Sequence, residues 1–164
     1  MTRWLAPITA LLLITACGHS EKKSRYSLDA NANGEPVMES HCYLQVTRGA
    51  ARVEGKDTIP GPVDSLYIKL EVLGELANGA YNWLPQEKDR MKGYFQGAID
   101  DSLVTAVYTY TAEGKMQKRE VMFKMEDKSL RVATGEMEES EGVYLYKDKS
   151  RVTYGGPIPE VNCK

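Results

Sequence analysis

The sequence predicts an all-β domain, an antiparallel up-and-down meander of about eight strands. The first observation is that apolar residues occupy every second position in several runs after Ser40, such as Leu66, Ile68 and Leu70. Alternation of this kind is typical of a strand with one buried face. The second is that turn-forming residues separate these runs at intervals of about 10–14 residues. The third is that no stretch after Cys17 keeps a helical period.

Nine runs qualify as strands, and short polar segments separate them. The run 103–110 is apolar or aromatic at nearly every position, which predicts a more central strand. Segment 86–90 has no apolar stripe and is interpreted as a loop. The candidate strands are 42–46, 66–72, 80–84, 92–99, 103–110, 121–125, 130–134, 143–146 and 151–154, and the candidate turns are 78–79, 100–102, 112–115 and 126–128.

A meander of this length usually closes into a barrel, because closure removes its two unpaired edges. Gly93 and Gly97 lie within one candidate strand, where they would allow the bend or bulge that curvature needs. We therefore expect a closed barrel. An open sheet or a β-sandwich is the alternative.

Length and composition set wide limits on function. The chain has 164 residues and a formal net charge of −2, from 21 basic and 23 acidic residues. One domain is expected at this length. A nucleic-acid-binding protein would usually show a basic stripe, so no nucleic-acid partner is expected. With 27% charged and 42% hydrophobic residues, the chain is neither a disordered tail nor a membrane helix bundle.

Residues 1–16 are typical of a secretory signal peptide. Arg3 supplies a basic start, an uncharged apolar run follows, and the run stops at Cys17, which is too short for a spanning helix. The string Leu13-Ile14-Thr15-Ala16-Cys17 resembles a bacterial lipobox. The resemblance implies that Cys17 is acylated on sulfur, becomes the first residue after cleavage, and is acylated on nitrogen, so that several chains anchor the protein. The alternative is an ordinary secretory signal that happens to end in cysteine.

Residues 17–39 are predicted to be a lipid-anchored flexible tether, and residues 40–164 a single barrel domain. The tether has no apolar period, and turn formers crowd its second half. Gly18 follows the anchor cysteine, and in lipoprotein sorting as known for enteric bacteria this implies the outer membrane.

Cys42 and Cys163 remain once Cys17 is assigned to the lipid, an even number in an exported protein. We predict a disulfide between them. In a closed meander the first and last strands are neighbours, so the bridge would lie at the seam. Two free buried thiols are the alternative.

Catalytic and metal chemistry find little support. His41 and Cys42 are adjacent, and neighbouring strand residues point to opposite faces, so they do not form a nucleophile–base pair. The acidic residues around 136–141 fit a solvated hairpin end better than a calcium loop. Phosphate-loop, nucleophile-elbow and paired-cysteine motifs are absent from the sequence. We expect no metal, no cofactor and no enzymatic activity, although an enzyme of unseen mechanism stays open.

The interior or mouth of the barrel is the remaining candidate surface, since an eight-stranded barrel is either filled or holds one small ligand. We favour plain core packing for its aromatic residues. The residues that would line a pocket are Tyr81, Trp83, Tyr94, Phe95, Tyr108 and Tyr110.

The mature chain resembles small uncharacterised lipoproteins of Bacteroidota. The resemblance is carried by Cys42-Tyr43, by the stretches 93–97, 111–114 and 119–123, and by Cys163. It implies a calycin-like, or lipocalin-like, barrel and no known activity. Three hypotheses follow: a non-enzymatic, lipid-anchored envelope module that contacts another protein or the wall; a barrel that binds a small apolar ligand; and an enzyme of unseen mechanism.

Overall fold

The computed structural model describes residues 33–35 and 37–163. The predicted signal peptide, the predicted lipidation residue Cys17 and most of the predicted tether therefore lie outside the described residues. The first strand begins at Glu39, one residue before the predicted start of the domain.

Strands dominate the described part of the chain, which holds thirteen of them and one short 3-10 helix, Lys149–Arg151. None of the described residues forms a helix long and apolar enough to cross a bilayer. The strands are β1 Glu39–Arg48, β2 Arg52–Glu54, β3 Asp57–Ile59, β4 Val63–Leu73, β5 Leu76–Leu84, β6 Met91–Asp100, β7 Leu103–Ala112, β8 Lys115–Glu126, β9 Ser129–Thr134, β10 Met137–Ser140, β11 Val143–Tyr146, β12 Thr153–Tyr154 and β13 Ile158–Val161.

Eight of these strands form a closed antiparallel barrel, as predicted. β1 pairs with β4, and β4 to β9 follow one another as a meander. β13 then lies between β9 and β1 and closes the cylinder. The sequence did not predict β13, although it predicted that the two ends of the meander meet.

The two ends of the barrel differ, and strand directions identify them. We call the end that holds the start of β1 and the turns after β4, β6 and β8 the base. We call the opposite end, where the β5–β6 loop and the β7–β8 turn lie, the mouth. The connection from β1 to β4, which carries the small β2–β3 hairpin, also leaves and re-enters at the mouth. The tether precedes β1, so it enters the barrel at the base.

The predicted strands 143–146 and 151–154 lie outside the barrel. β11 pairs in parallel with β8, and β12 pairs with β9. Their side chains help to cover Met122 on the outer face of β8, in a small second core with Ala133 and Tyr146. The strand predicted over 151–154 is shorter than expected, because a 3-10 turn occupies residues 149–151 and only Thr153–Tyr154 pair.

The turn predicted at Asn78-Gly79 is wrong. Both residues lie inside β5, and the chain reverses at Gly74-Glu75 instead. Asn-Gly is a strong hairpin signal, but Gly79 is needed here for close approach, since a Cβ atom would run into the backbone oxygen of Lys69. The turn predicted at 112–115 is confirmed, with Glu113 at φ 51° and Gly114 at φ 73°.

Gly93 and Gly97 allow neighbouring strands to approach closely. A Cβ atom at Gly93 would lie 2.7 Å from the Cα of Tyr110, and one at Gly97 would lie 2.5 Å from the Cα of Ala106. Real Cβ atoms essentially never come this close, so any side chain at either position would force β6 away from β7. The expectation that these glycines serve the curvature of the barrel agrees with this packing.

The predicted disulfide is present. Cys42 on β1 bonds to Cys163 just after β13, with 5.2 Å between the Cα atoms and a sequence separation of 121. The bridge therefore fastens the seam at the base. Cys42 is fully buried, and the hydroxyl of Tyr67 lies 3.2 Å from its sulfur.

Candidate functional site

A depression of about 620 Å³ opens at the mouth of the barrel. It is formed where the end of β5, the β5–β6 loop and the start of β6 meet the end of β7 and the start of β8. Aromatic and apolar side chains form its inner part, and charged side chains of the loop and the turn surround it. The lining residues are Trp83, Glu87, Lys88, Asp89, Met91, Tyr110, Ala112, Glu113 and Gln117.

Tyr110 lies at the inner part of this depression and is 8% exposed. Its ring stacks on Tyr108, with centroids 4.7 Å apart and planes 9° apart. Its hydroxyl donates a hydrogen bond of 2.9 Å to Oε1 of Gln117, which is its partner across β7 and β8. One ring face and the hydroxyl are thus occupied within the protein, and Tyr110 contributes only a small accessible area to the depression.

Below Tyr110 the barrel is filled with packed aromatic rings. Phe95, Tyr108 and Phe123 are completely buried. The rings of Phe95 and Phe123 lie 5.1 Å apart and those of Tyr81 and Tyr108 lie 4.9 Å apart, centroid to centroid. The hydroxyl of Tyr108 donates a 2.7 Å hydrogen bond to the backbone oxygen of Tyr81. The middle of the barrel is therefore a packed core.

The six aromatic residues predicted to line a pocket separate into three groups. Trp83 and Tyr110 line the mouth depression. Phe95 and Tyr108 belong to the buried core, as Tyr110 also does, and the partly buried Tyr81 packs against this core. Tyr94 lies on the outer face of β6 with 58% of its surface exposed, away from the others. The structure thus brings two of the six to the candidate site.

The tyrosines below the mouth lie in a poorly hydrated environment. Burial raises the pKa of Tyr81 above the ordinary tyrosine value and raises the pKa of Tyr108 well above it. The nearby Arg119 acts in the opposite direction and lowers both pKa values, by a smaller amount. Arg119 is the partner of Tyr108 across β7 and β8, and its Nε is buried with no hydrogen-bond acceptor among the described residues.

The β5–β6 loop is fixed to the rest of the mouth by Gln86. The backbone N–H of Val63 donates to Oε1 of Gln86 at 2.7 Å, and the N–H of Gln86 donates to Oδ1 of Asp64 at 3.0 Å. These bonds join the loop to the start of β4. Glu87, Lys88 and Asp89 are consequently held at the border of the depression, opposite Glu113 on the β7–β8 turn.

A second depression, of about 720 Å³, lies at the base beside the disulfide. It has no aromatic lining residue: Ser40, Lys128, Glu160, Val161, Asn162 and Cys163 surround it. Nearby, Nδ1 of His41 lies 2.8 Å from Oε1 of Glu160. Cys42 is committed to the disulfide, so His41 and Cys42 form no catalytic pair. Within residues 33–35 and 37–163, no group of three or more histidine, cysteine or acidic residues is placed to hold a metal ion.

The polar residues of the mouth were not singled out from the sequence. Loop 86–90 and turn 112–115 were predicted as connections, and nothing in a single sequence shows that two connections meet at one end of a barrel. One signal did exist. Gln117 and Arg119 continue the inward alternation of Val121 and Phe123, which marks polar side chains on a buried face.

Comparisons of the chain with protein-family models, with curated proteins and with solved structures gave no match. The function is therefore inferred from the geometry of the barrel and its mouth.

Proposed function

We propose that this protein is a lipid-anchored, non-enzymatic lipoprotein of the bacterial cell envelope that binds a small ligand at the mouth of its barrel. The observation that carries the proposal is the depression of about 620 Å³ with Trp83 and Tyr110 at its inner part. Concave sites of several hundred cubic ångströms, lined by aromatic side chains and a few polar groups, are the usual form of small-molecule sites.

The proposed ligand lies against Trp83 at the mouth rather than inside the barrel. The rings of Tyr81, Phe95, Tyr108 and Phe123 already contact one another below it. To enter the middle of the barrel, an apolar ligand would have to displace this core, at the cost of several kcal/mol for each large side chain moved. The mouth accepts a ligand without such a change.

The direction of the mouth agrees with a tethered binding domain. β1 begins at the base, so a tether that ends at Glu39 approaches the barrel from the side opposite the mouth. About 22 residues of flexible chain would span roughly 26 Å. With Cys17 in the outer membrane, the mouth would face away from the membrane surface.

Ligand binding can be tested with the processed full chain, purified from its own envelope. After removal of residues 1–16, Trp83 is the only tryptophan, so its emission reports on the mouth alone. We expect native mass spectrometry to show an additional mass that is lost on denaturation and is absent from Trp83→Leu. Tyr94→Leu, on the outer face, is the matched control and should keep the ligand. If native mass spectrometry shows only the mass of the lipidated protein, and envelope extracts leave the emission of Trp83 unchanged, the proposal is refuted.

The lipid anchor is tested separately. Cys17→Ser should move the protein from the membrane fraction to the soluble fraction, because the acylated residue is lost. Cys163→Ser is a useful control, since it removes a cysteine without touching the lipobox. Continued sedimentation of Cys17→Ser with membranes would contradict the anchor.

A second function, contact with another envelope protein, is favoured by the outer face of β1. Leu44 and Val46 point outward on this strand and are 36% and 50% exposed. Apolar residues grouped on one face are typical of contact surfaces when the patch is large. Crosslinking in cells from position 46 should capture a discrete partner if this face is used, and crosslinking from Thr109, on the outer face of β7, should not.

A further inference from the structure

The aromatic and polar groups of the mouth also indicate what kind of ligand fits there. We infer that the mouth takes the ring of a saccharide, as one unit of a glycan chain. This inference rests on the proposed ligand-binding function, and it names the ligand class for the same site.

The first argument is the aromatic surface of Trp83. Trp83 lines the depression and is only partly buried, so part of its ring is accessible there. Tyr110, which also lines the depression, is 8% exposed and its ring stacks on Tyr108 with centroids 4.7 Å apart, so it adds only a small, fixed area. The face of an aromatic ring carries partial negative charge. Sugar rings present a face of C–H groups with partial positive charge, which packs well on such a surface.

The second argument is the mixture of donors and acceptors around this surface. Glu87, Asp89 and Glu113 offer carboxylates, which only accept hydrogen bonds. Lys88 only donates, and the amide nitrogen of Gln117 can donate because its oxygen already accepts from Tyr110. Each sugar hydroxyl both donates and accepts. The hydroxyls of a polyhydroxylated ring can therefore pair with both the donors and the acceptors of this border.

Other ligand classes fit less well. A purely apolar ligand would remove the three carboxylates from water without replacing their hydrogen bonds, which costs free energy. An anionic ligand would meet three carboxylates and one lysine, since Arg119 is not among the lining residues. An organic cation would find both an aromatic face and carboxylates. An experiment therefore has to distinguish the binding of an organic cation from the binding of a saccharide.

The position of the mouth suits a chain rather than an isolated molecule. The depression is open to solvent at the end of the barrel opposite the tether, so a sugar unit within a polymer can reach Trp83 without any strand moving apart.

The experiment uses the processed, lipidated full chain in a detergent without a sugar headgroup, because a glycosidic detergent would compete. The probes are neutral oligosaccharides of glucose, N-acetylglucosamine, mannose and galactose. Benzyltrimethylammonium and benzoate serve as cationic and anionic comparison compounds. We expect at least one oligosaccharide to bind by calorimetry and to change the emission of Trp83, while both charged compounds bind more weakly.

Variants then assign the contact. Trp83→Leu should weaken saccharide binding by roughly tenfold, because it removes the accessible aromatic surface. Tyr94→Leu should leave the affinity unchanged. Glu113→Gln should change it by less than roughly threefold, because an amide oxygen still accepts from a hydroxyl. Urea unfolding of each variant separates a loss of binding from a loss of fold.

Three results would overturn the inference. Binding of benzyltrimethylammonium alone, with a loss of more than roughly tenfold in Glu113→Gln, would make the ligand a cation. Binding of benzoate alone would make it an anion. Either result would leave the proposed ligand-binding function standing. If none of the oligosaccharides binds, the saccharide inference is rejected. If, in addition, envelope extracts do not change the emission of Trp83, the proposed ligand-binding function is rejected as well.

Discussion

The base and the mouth of the barrel are built from different kinds of residue. At the base, aliphatic side chains such as Ile99, Val104 and Leu130 are at most 2% exposed, and the Cys42–Cys163 bridge closes the seam. At the mouth, Trp83 is only half-buried and charged side chains surround it. Folding free energy thus comes mainly from the lower part of the barrel. The upper part is free to carry residues that contribute little to stability and are suited to contact a ligand.

The largest expected effect is that of Phe123→Ala. Phe123 is completely buried and contacts the rings of Phe95 and Tyr81. Loss of the ring should lower the free energy of unfolding by about 3–5 kcal/mol, the cost of a large cavity in a packed core. Urea unfolding measures it, and Tyr94→Ala on the outer face is the control, expected within about 1 kcal/mol of the parent protein. A cost below about 1 kcal/mol for Phe123→Ala would mean that the lower barrel is not the main source of stability.

Removal of the disulfide should have the next largest effect. Cys42→Ala with Cys163→Ala opens a loop whose ends are separated by 121 positions. The chain-entropy argument sets an upper limit of roughly 5 kcal/mol for such a loop, and the loss is typically about 2–4 kcal/mol. Hydrogen exchange should accelerate first in β13 and the facing part of β1. The emission of Trp83 at the opposite end should stay the same. Faster exchange at the mouth than at the seam would contradict the division into two regions.

Much of the barrel could be predicted from the sequence, because each long strand buries one face. In β4 and β7 the buried positions follow the apolar alternation residue by residue. Two features of the barrel were not predicted by this alternation. β13 contains Pro159, which normally argues against a strand, and it is short. Asn78-Gly79 has the composition of a turn, but tight packing against Lys69 keeps Gly79 inside β5.

The candidate site was predictable only in part. Trp83 and Tyr110 were named because they are aromatic residues on central strands, and both line the mouth. Tyr94 and Phe95 were named together, although adjacent residues of a strand point to opposite faces, so only one of the two can point inward. The charged residues at the border of the depression were not predicted, because their grouping depends on which loops lie at the same end of the barrel. Strand direction and barrel closure determine this, and a local sequence pattern does not show it.

The tyrosines between the two regions predict a loss of stability at alkaline pH. Burial raises the pKa of Tyr81 and Tyr108 in the folded protein, while the unfolded chain has the ordinary value of about 10. Their contribution is therefore complete below about pH 10 and declines as the pH rises above it, because the unfolded state then releases protons first.

Tyr108→Phe tests this dependence. At neutral pH it should cost about 1 kcal/mol, through loss of the hydrogen bond to the oxygen of Tyr81. Its stability should then decline less steeply than that of the parent between about pH 9 and pH 11. The midpoint of urea unfolding, measured across this pH range, tests the prediction, and Tyr94→Phe is the control. Equal slopes in Tyr108→Phe and the parent would show that buried tyrosines do not set the alkaline limit.

The smallest expected effect on folding comes from the mouth itself. Trp83 is half-buried at the end of β5, and Trp83→Leu keeps an apolar group against Met91, its partner on β6. We expect a loss of roughly 1 kcal/mol or less in the free energy of unfolding, since the rest of the ring faces solvent. The same change should weaken ligand binding roughly tenfold and remove the additional mass seen by native mass spectrometry. A cost close to that of Phe123→Ala would place Trp83 in the folding core, and the mouth would then be part of the structure that holds the barrel together rather than a surface free to bind.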